Sequence, residues 1–360
     1  MAKTDRRDRL QGALWGMFVG DALAMPAHWY YNAAALQRDF GSLRDYQDPG
    51  DYHPSSIMSL ASTGRAGRGS QEGEVVGEVI LHGKKHLWGR PNTHYHHGLQ
   101  AGDNTLNLLC LRVLLRSMNA LGRYDSDAFL QAYVAFMTTP GTHNDTYAES
   151  YHRDFFANYA RGLRPDRCAG EEGHDTASIG GLVTLPPVIF ATLRDGNSND
   201  DDAVLEHLRL THRSRKLESY ARALNRLFRR IVIDGESHLR PLFCSVAESL
   251  GFPATQVLQR VNRNRGSDLE VIGGVLSPAC YIDQSFPAML YLAARYSENI
   301  EAALIANANV GGDNCHRGAV LGALLGAALG WQAIPDRWIQ GLSCRVELEQ
   351  EINTFVTQFA

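Results

Sequence analysis

Three glycines recur at every fourth position near the start of the chain: Gly12, Gly16 and Gly20. Four more recur the same way near its end: Gly318, Gly322, Gly326 and Gly330, with Ala319, Ala323 and Ala327 beside them. Residues four apart share one face of a helix. A glycine in a helix interior costs about 1 kcal/mol relative to alanine, so each ladder costs roughly 2–4 kcal/mol. Close packing must return that energy, because a face without side chains lets another backbone approach. The expectation is ladder against ladder. If the helices run antiparallel, Asp21 at the end of the first lands near Asp313 and Cys315 at the start of the second.

Helical spacing dominates elsewhere. The first helix is expected from Thr4 or Asp5 to about Leu23. Others are expected at 105–119, 125–137, 145–162, 178–194, 202–209, 214–231, 241–249, 254–263, 284–296, 298–307, 315–330 and 335–358. Strand signals are few and short, as at Val75-Val76 and Ile231-Val232-Ile233. The fold class expected is therefore all-α, a multi-helix bundle. An irregular region runs from about 32 to 102, with a glycine-rich loop from Ser62 to Gly77 that lacks the Gly-Lys-Ser/Thr ending of a P-loop. The acidic stretch 195–202 reads as a solvated loop. No Pro/Ser-rich linker divides the chain, so residues 1–360 are expected to form one domain.

A formal net charge of −4 provides no basic field for nucleic acid or anionic lipid. No apolar run reaches the ~18 residues of a membrane span. The six cysteines form no C-x-x-C pair, which argues against a zinc ribbon or a thioredoxin-like motif. Basic residues precede the apolar run 10–20, but Gln11, the glycines, Asp5 and Asp8 dilute any signal-peptide pattern. A cytoplasmic location is expected.

Two phrases echo each other, Gly102-Asp103-Asn104-Thr105 and Gly312-Asp313-Asn314-Cys315, and each leads into a helix. Their oxygens could cap those helices, or two such starts could line one polar pocket. Cys315 falls in a first helical turn, where the helix field favours a thiolate; a small buried thiol is the plainer alternative. His28, His316, Cys315 and an aspartate are zinc ligands by type, although adjacent residues chelate one ion only with strain. His94, His96 and His97 read as loop histidines, with phosphate or substrate contact at a pocket rim as the alternative. The arginines between 213 and 230 read as a solvated helix face. Asn144-Asp145-Thr146-Tyr147 and Glu149 read as a helix start with an acidic first turn, a pocket role being open.

Gly20-Asp21-Ala22-Leu23, the Gly-Asp-Asn-Thr phrase, Thr211-His212, and Asn309-Val310-Gly311-Gly312-Asp313 followed by Gly318-Ala319 and Gly322-Ala323 resemble the ADP-ribosylglycohydrolases. The resemblance covers about residues 8–340 and implies an all-α domain that hydrolyses the glycosidic bond of ADP-ribose with two Mg²⁺ or Mn²⁺ ions. The chain departs from the family where carboxylates are usual. Gly102-Asp103-Asn104 stands for Thr-Asp-Asp, and Asp313-Asn314-Cys315-His316 for Asp-Thr-Asp-Thr. His28 stands at the family's acidic position, and Ala24 for a glycine. This pattern is similar to the divergent branch of selenoprotein J and J-crystallin.

With so few carboxylates, at most one ion is expected, held by Asp103 and Asp313 with Asn104 and Asn314 carbonyls and water, or none. Catalytic roles are expected for Asp103 and Asp313, which keep the family's carboxylates, and, from their own chemistry, for Cys315 and His28. Substrate binding is expected for Asn104, Asn314, His316, Gly311, Gly312 and Asp21. The substrate expected is a small or ADP-ribosylated molecule, a nucleotide-sugar or a glycosylamine. Two alternatives stand beside hydrolysis: a thiol-dependent redox or nucleophilic enzyme using Cys315, and a non-catalytic, crystallin-like binding or structural protein.

Overall fold

The computed structural model describes residues 5–58, 78–173, 176–194 and 201–360. Val75-Val76, the loop from Ser62 to Gly77 and most of the acidic stretch 195–202 lie outside them. Among the described residues there are fifteen α-helices and no strand, only isolated bridges such as Ser178 with Tyr281. The pair Ile231-Val232 ends a helix instead of starting a strand. None of the described helices is long and apolar enough to cross a membrane. The six cysteines form no disulfide among the described residues.

Helix α1, Arg6–Ala24, starts where the Asp5 carboxylate accepts from Asp8 N at 2.8 Å. Helix α13 is Asn314–Leu329. Both are buried nearly all round, which is how a helix apolar on every side must sit. The two pack antiparallel, ladder on ladder. A Cβ on Gly12 would collide with the Gly326 carbonyl, one on Gly16 with Gly322, and one on Gly20 with Gly318.

The other helices wrap this pair. Helix α2, Ala33–Phe40, lies inside the region expected to be irregular and is capped by Asn32, whose Oδ1 accepts from Ala34 N and Ala35 N. Then come α3 (Leu106–Leu121), α4 (Ser126–Thr138) and α5 (Ser150–Ala160). The next are α6 (Leu185–Arg194), α7 (Asp202–Arg209), α8 (Arg215–Val232), α9 (Leu239–Ser249) and α10 (Ala254–Asn264). The chain ends with α11 (Ile282–Arg295), α12 (Ile300–Asn309), α14 (Asp336–Gly341) and α15 (Arg345–Phe359). On α3, Arg112 makes a two-pronged ion pair with Glu351 of α15 at 3.0 and 2.9 Å.

Three expected helices are shorter or broken. Residues 145–149 are irregular, and α5 starts at Ser150. Residues 178–194 split into a 3₁₀ turn, Ile179–Leu182, and α6. The long terminal helix breaks after Gly341, and Ser343 N donates to Gly102 O at 3.1 Å. Gly102 has φ +88°, and a Cβ there would strike the Gly341 carbonyl, so this junction requires glycine.

Candidate functional site

The loop before α13 crosses the segment after α1. Gly312 N donates to Tyr30 O and Trp29 N to Gly312 O, both at 2.7 Å. Gly311 and Gly312 have φ +65° and +67°, and a Cβ on either would hit a carbonyl, of Tyr30 or of Pro278. The buried Arg317 holds the same loop by donating to Gly311 O at 2.7 Å and Asn307 Oδ1 at 2.8 Å. This clamp brings His28 against Asp313. It also holds Trp29 at φ +61°, stacked on His28 with ring centroids 4.0 Å apart.

Asp313 is the N-cap residue of α13, yet its side chain makes no capping bond. Its Oδ1 instead receives His28 Nε2 at 3.1 Å and His316 Nδ1 at 2.7 Å. His316 Nε2 lies 3.2 Å from Glu149 Oε1. On the other side, His28 Nδ1 lies 2.7 Å from His96 Nε2, and His96 Nδ1 lies 2.8 Å from Asp145 Oδ1. Asp145 Oδ2 accepts from Leu106 N, the first residue of α3, at 2.8 Å. One line of side chains results: Asp145, His96, His28, Asp313, His316, Glu149. All are at most 3 % exposed except Glu149, which is 16 % exposed.

Hydrogen-bond counting sets the charges. The three bonds from Asp145 to Asp313 need three protons, and two imidazoles carry three only when one is an imidazolium. Burial pushes His28 down to about 3. Burial also opposes charge on His316, but Asp313, Glu149 and Asp21 outweigh it and push it up to about 10. Burial would raise Asp313, but the histidines on either side hold it below the usual carboxylate range. The amide of Asn107, with Nδ2 2.7 Å from His316 Nε2, can turn its oxygen to a doubly protonated ring. Beside the line, Tyr151, Asn107, Gly180 and His212 help enclose a cavity of about 10 Å³, room for roughly one water.

The expected residues divide. His28, Asp313 and His316 converge. Cys315 joins them, its Sγ grouped with His28 and His96 ligand atoms within 4.8 Å of one another. Burial pushes its thiol well above 9, and the neighbouring carboxylates Asp21 and Asp313 push the same way. The helix field does not prevail, and no ready thiolate exists. Asp21 is buried at the end of α1, where it accepts from Asn104 Nδ2, Thr105 N and Thr105 Oγ1 at 2.7–2.9 Å. Asn104 thus ties α3 to α1, donating also to Phe18 O at 2.8 Å. Asn314 donates to Ala308 O at 3.0 Å, at the end of α12. Gly311 and Gly312 serve the backbone clamp.

Asp103 does not join the cluster: its Oδ2 accepts from Gln100 N at 2.8 Å and closes a turn. Among the described residues, three or more metal-ligating atoms meet only at His28–His96–Cys315 and His28–Asp313–His316. The residues present therefore do not fit a pair of hard divalent ions, which need several oxygens each.

From sequence a pocket role stayed open for Asp145 and Glu149, and a rim contact for His96, but none was named a site residue. The acids were visible as a polar start to α5, but only the irregular loop aims them inward. His96 is buried at 2 % exposure, not a rim residue. His94, also buried, lies 3.0 Å from Pro26 O and is structural. Thr211 Oγ1 lies 2.8 Å from His212 Nδ1, beside the small cavity. An open groove of about 770 Å³ lies between α2 and α12 and includes none of the cluster.

A model of the family described as ADP-ribosylglycohydrolase matches residues 2–360. Among solved structures, one titled "ADP-ribosylglycohydrolase-related protein complex" is similar at a TM-score of 0.62, with 22% identity over 99% of each chain. At that identity the likeness is one of fold. Among curated proteins, none matches the chain.

Proposed function

Since the chain belongs to the ADP-ribosylglycohydrolase family, we propose that it hydrolyses the glycosidic bond of an ADP-ribosyl or related nucleotide-sugar compound at the Asp313–His316–Glu149 end of the cluster. One observation carries this reading. Glu149 precedes α5 but makes no capping bond there; it reaches 3.2 Å to His316, on the family's most specific motif. It is also the most exposed carboxylate of the line.

Hydrolysis of a glycosidic bond passes through an oxocarbenium-like state. Glu149 takes the proton of the attacking water as the glycosidic bond breaks, and the leaving group takes up a proton from solvent. The charged His316 orients Glu149. Asp313 and Asp145 behind it favour the positive charge that develops on the ribose. The substitutions at positions 28, 102, 104 and 315 support placing the chain in a divergent branch similar to selenoprotein J and J-crystallin.

The test is release of free ADP-ribose from a panel of ADP-ribosyl conjugates, followed by chromatography. Glu149→Gln should lower the rate by about 10²-fold or more, the scale of general acid–base catalysis. Equal rates for parent and variant would refute the assignment. A second reading, a non-catalytic protein, is favoured by the near-complete closure of the cluster; absence of turnover across the whole panel would support it.

A further inference from the structure

The geometry points to a metal site in the inner half of the cluster: we infer that His28, His96 and Cys315 bind one borderline-soft divalent cation of the zinc type. This does not rest on the hydrolase reading.

His28 Nε2 faces Asp313 Oδ1 at 3.1 Å, and His96 Nδ1 faces Asp145 Oδ1 at 2.8 Å. A carboxylate can only accept, so each ring directs a proton outward. The two remaining nitrogens face each other at 2.7 Å. Two bare lone pairs at that distance repel, so a cation belongs between them. A proton fills that role in the arrangement described above. A metal ion takes that place once the two rings part slightly, with Cys315 as a third ligand. Cys315 Sγ and the two histidines' ligand atoms lie within 4.8 Å of one another, all buried.

The surroundings are those of a metal-binding histidine pair. Histidine ligands commonly give their other N–H to a carboxylate, which fixes the ring and raises its basicity; here both do. A water completes four-coordination.

The donor set selects the ion. Nitrogen and sulfur suit zinc and its neighbours, whereas Mg²⁺ requires oxygen. Bonds of about 2.0–2.1 Å at a tetrahedral angle would spread the facing nitrogens to about 3.3 Å. The protons balance: the ion enters, the Cys315 thiol and the histidine pair each release one proton to solvent, and a metal–sulfur bond forms. The donor set weighed from sequence was Cys315, His316, His28 and an aspartate; here His96 takes the place of His316 and water that of the aspartate.

The test uses the full chain, stripped with chelator and titrated with Co²⁺ as the spectroscopic probe. The expected result is one Co²⁺ per chain, with thiolate-to-cobalt charge-transfer absorption that Zn²⁺ abolishes and excess Mg²⁺ does not. Cys315→Ser should remove that absorption, and His96→Gln should weaken binding by about tenfold or more. Cys244→Ser, on α9, should change neither. Because a variant in this packed region could fail to fold, X-ray absorption of the zinc-loaded parent provides an independent readout, with one sulfur at about 2.3 Å. An all-oxygen shell, no stoichiometric binding, or binding unchanged in folded Cys315→Ser and His96→Gln would overturn the inference.

Discussion

Burial alone would strip His316 of its charge, and the carboxylates of Asp313, Glu149 and Asp21 reverse that, pushing it up to about 10. The charge thus depends on residues contributed by three separate segments. Removing one should be visible directly. Glu149→Gln is expected to lower the His316 pKa by about one unit or more, read from its ring signals by NMR across pH. An unchanged value would mean that Glu149 does not contact the ring. At this scale the sequence was half legible. Asp313, His28 and His316 stood out because they sit on or beside unusual phrases. Glu149, Asp145 and His96 did not, because nothing periodic tells whether a loop side chain points inward. Asp103 shows a related effect: the Gly-Asp-Asn phrase resembles its partner before α13, but its carboxylate closes a local turn.

At the scale of elements, α1 and α13 form the frame from which the site hangs. Their glycines are needed because backbone meets backbone, with Gly16 against Gly322 at the centre. Alanine at Gly322 would gain about 1 kcal/mol of helix propensity. Its methyl would collide with a carbonyl that cannot swing away. We expect Gly322→Ala to be net destabilising by about 1–3 kcal/mol, measured as a lower denaturation midpoint; a midpoint equal to or above the parent's would contradict the close approach. The ladder pairing was legible because its period is strict and its energetic cost demands compensation. Element ends were less so. The acidic run 145–149 reads as a first helical turn, yet its carboxylates are drawn off to Leu106 N and His316 and the backbone stays irregular. The break after Gly341 depends on Gly102, some 240 residues away in sequence, which no local pattern reveals.

Across the whole molecule, the interior holds many neutral histidines. Burial pushes both His207 and His212 down to about 3 from 6.5. His207 lies between the hydroxyls of Tyr124 and Thr184, each at 3.0 Å. Between those two pH values the unfolded chain binds more protons than the folded one, so stability rises with pH there. The contribution is complete above 6.5 and drains away as the pH falls toward 3. Urea midpoints of the chelator-treated protein should fall steadily through that window, and His207→Gln should flatten part of the slope; a level midpoint would contradict it. The all-α single-chain architecture was legible from helical spacing and the resemblance. The closure of the site was not, because it comes from loops packed across the ends of distant helices. The central claim is that distant segments converge to make a glycosidic centre beside Glu149. A crystal structure with bound ADP-ribose tests it most directly. We predict the anomeric carbon of the distal ribose facing Glu149, with a water about 3 Å from its carboxylate. ADP-ribose seated instead in the groove between α2 and α12, or excluded altogether, would contradict the account.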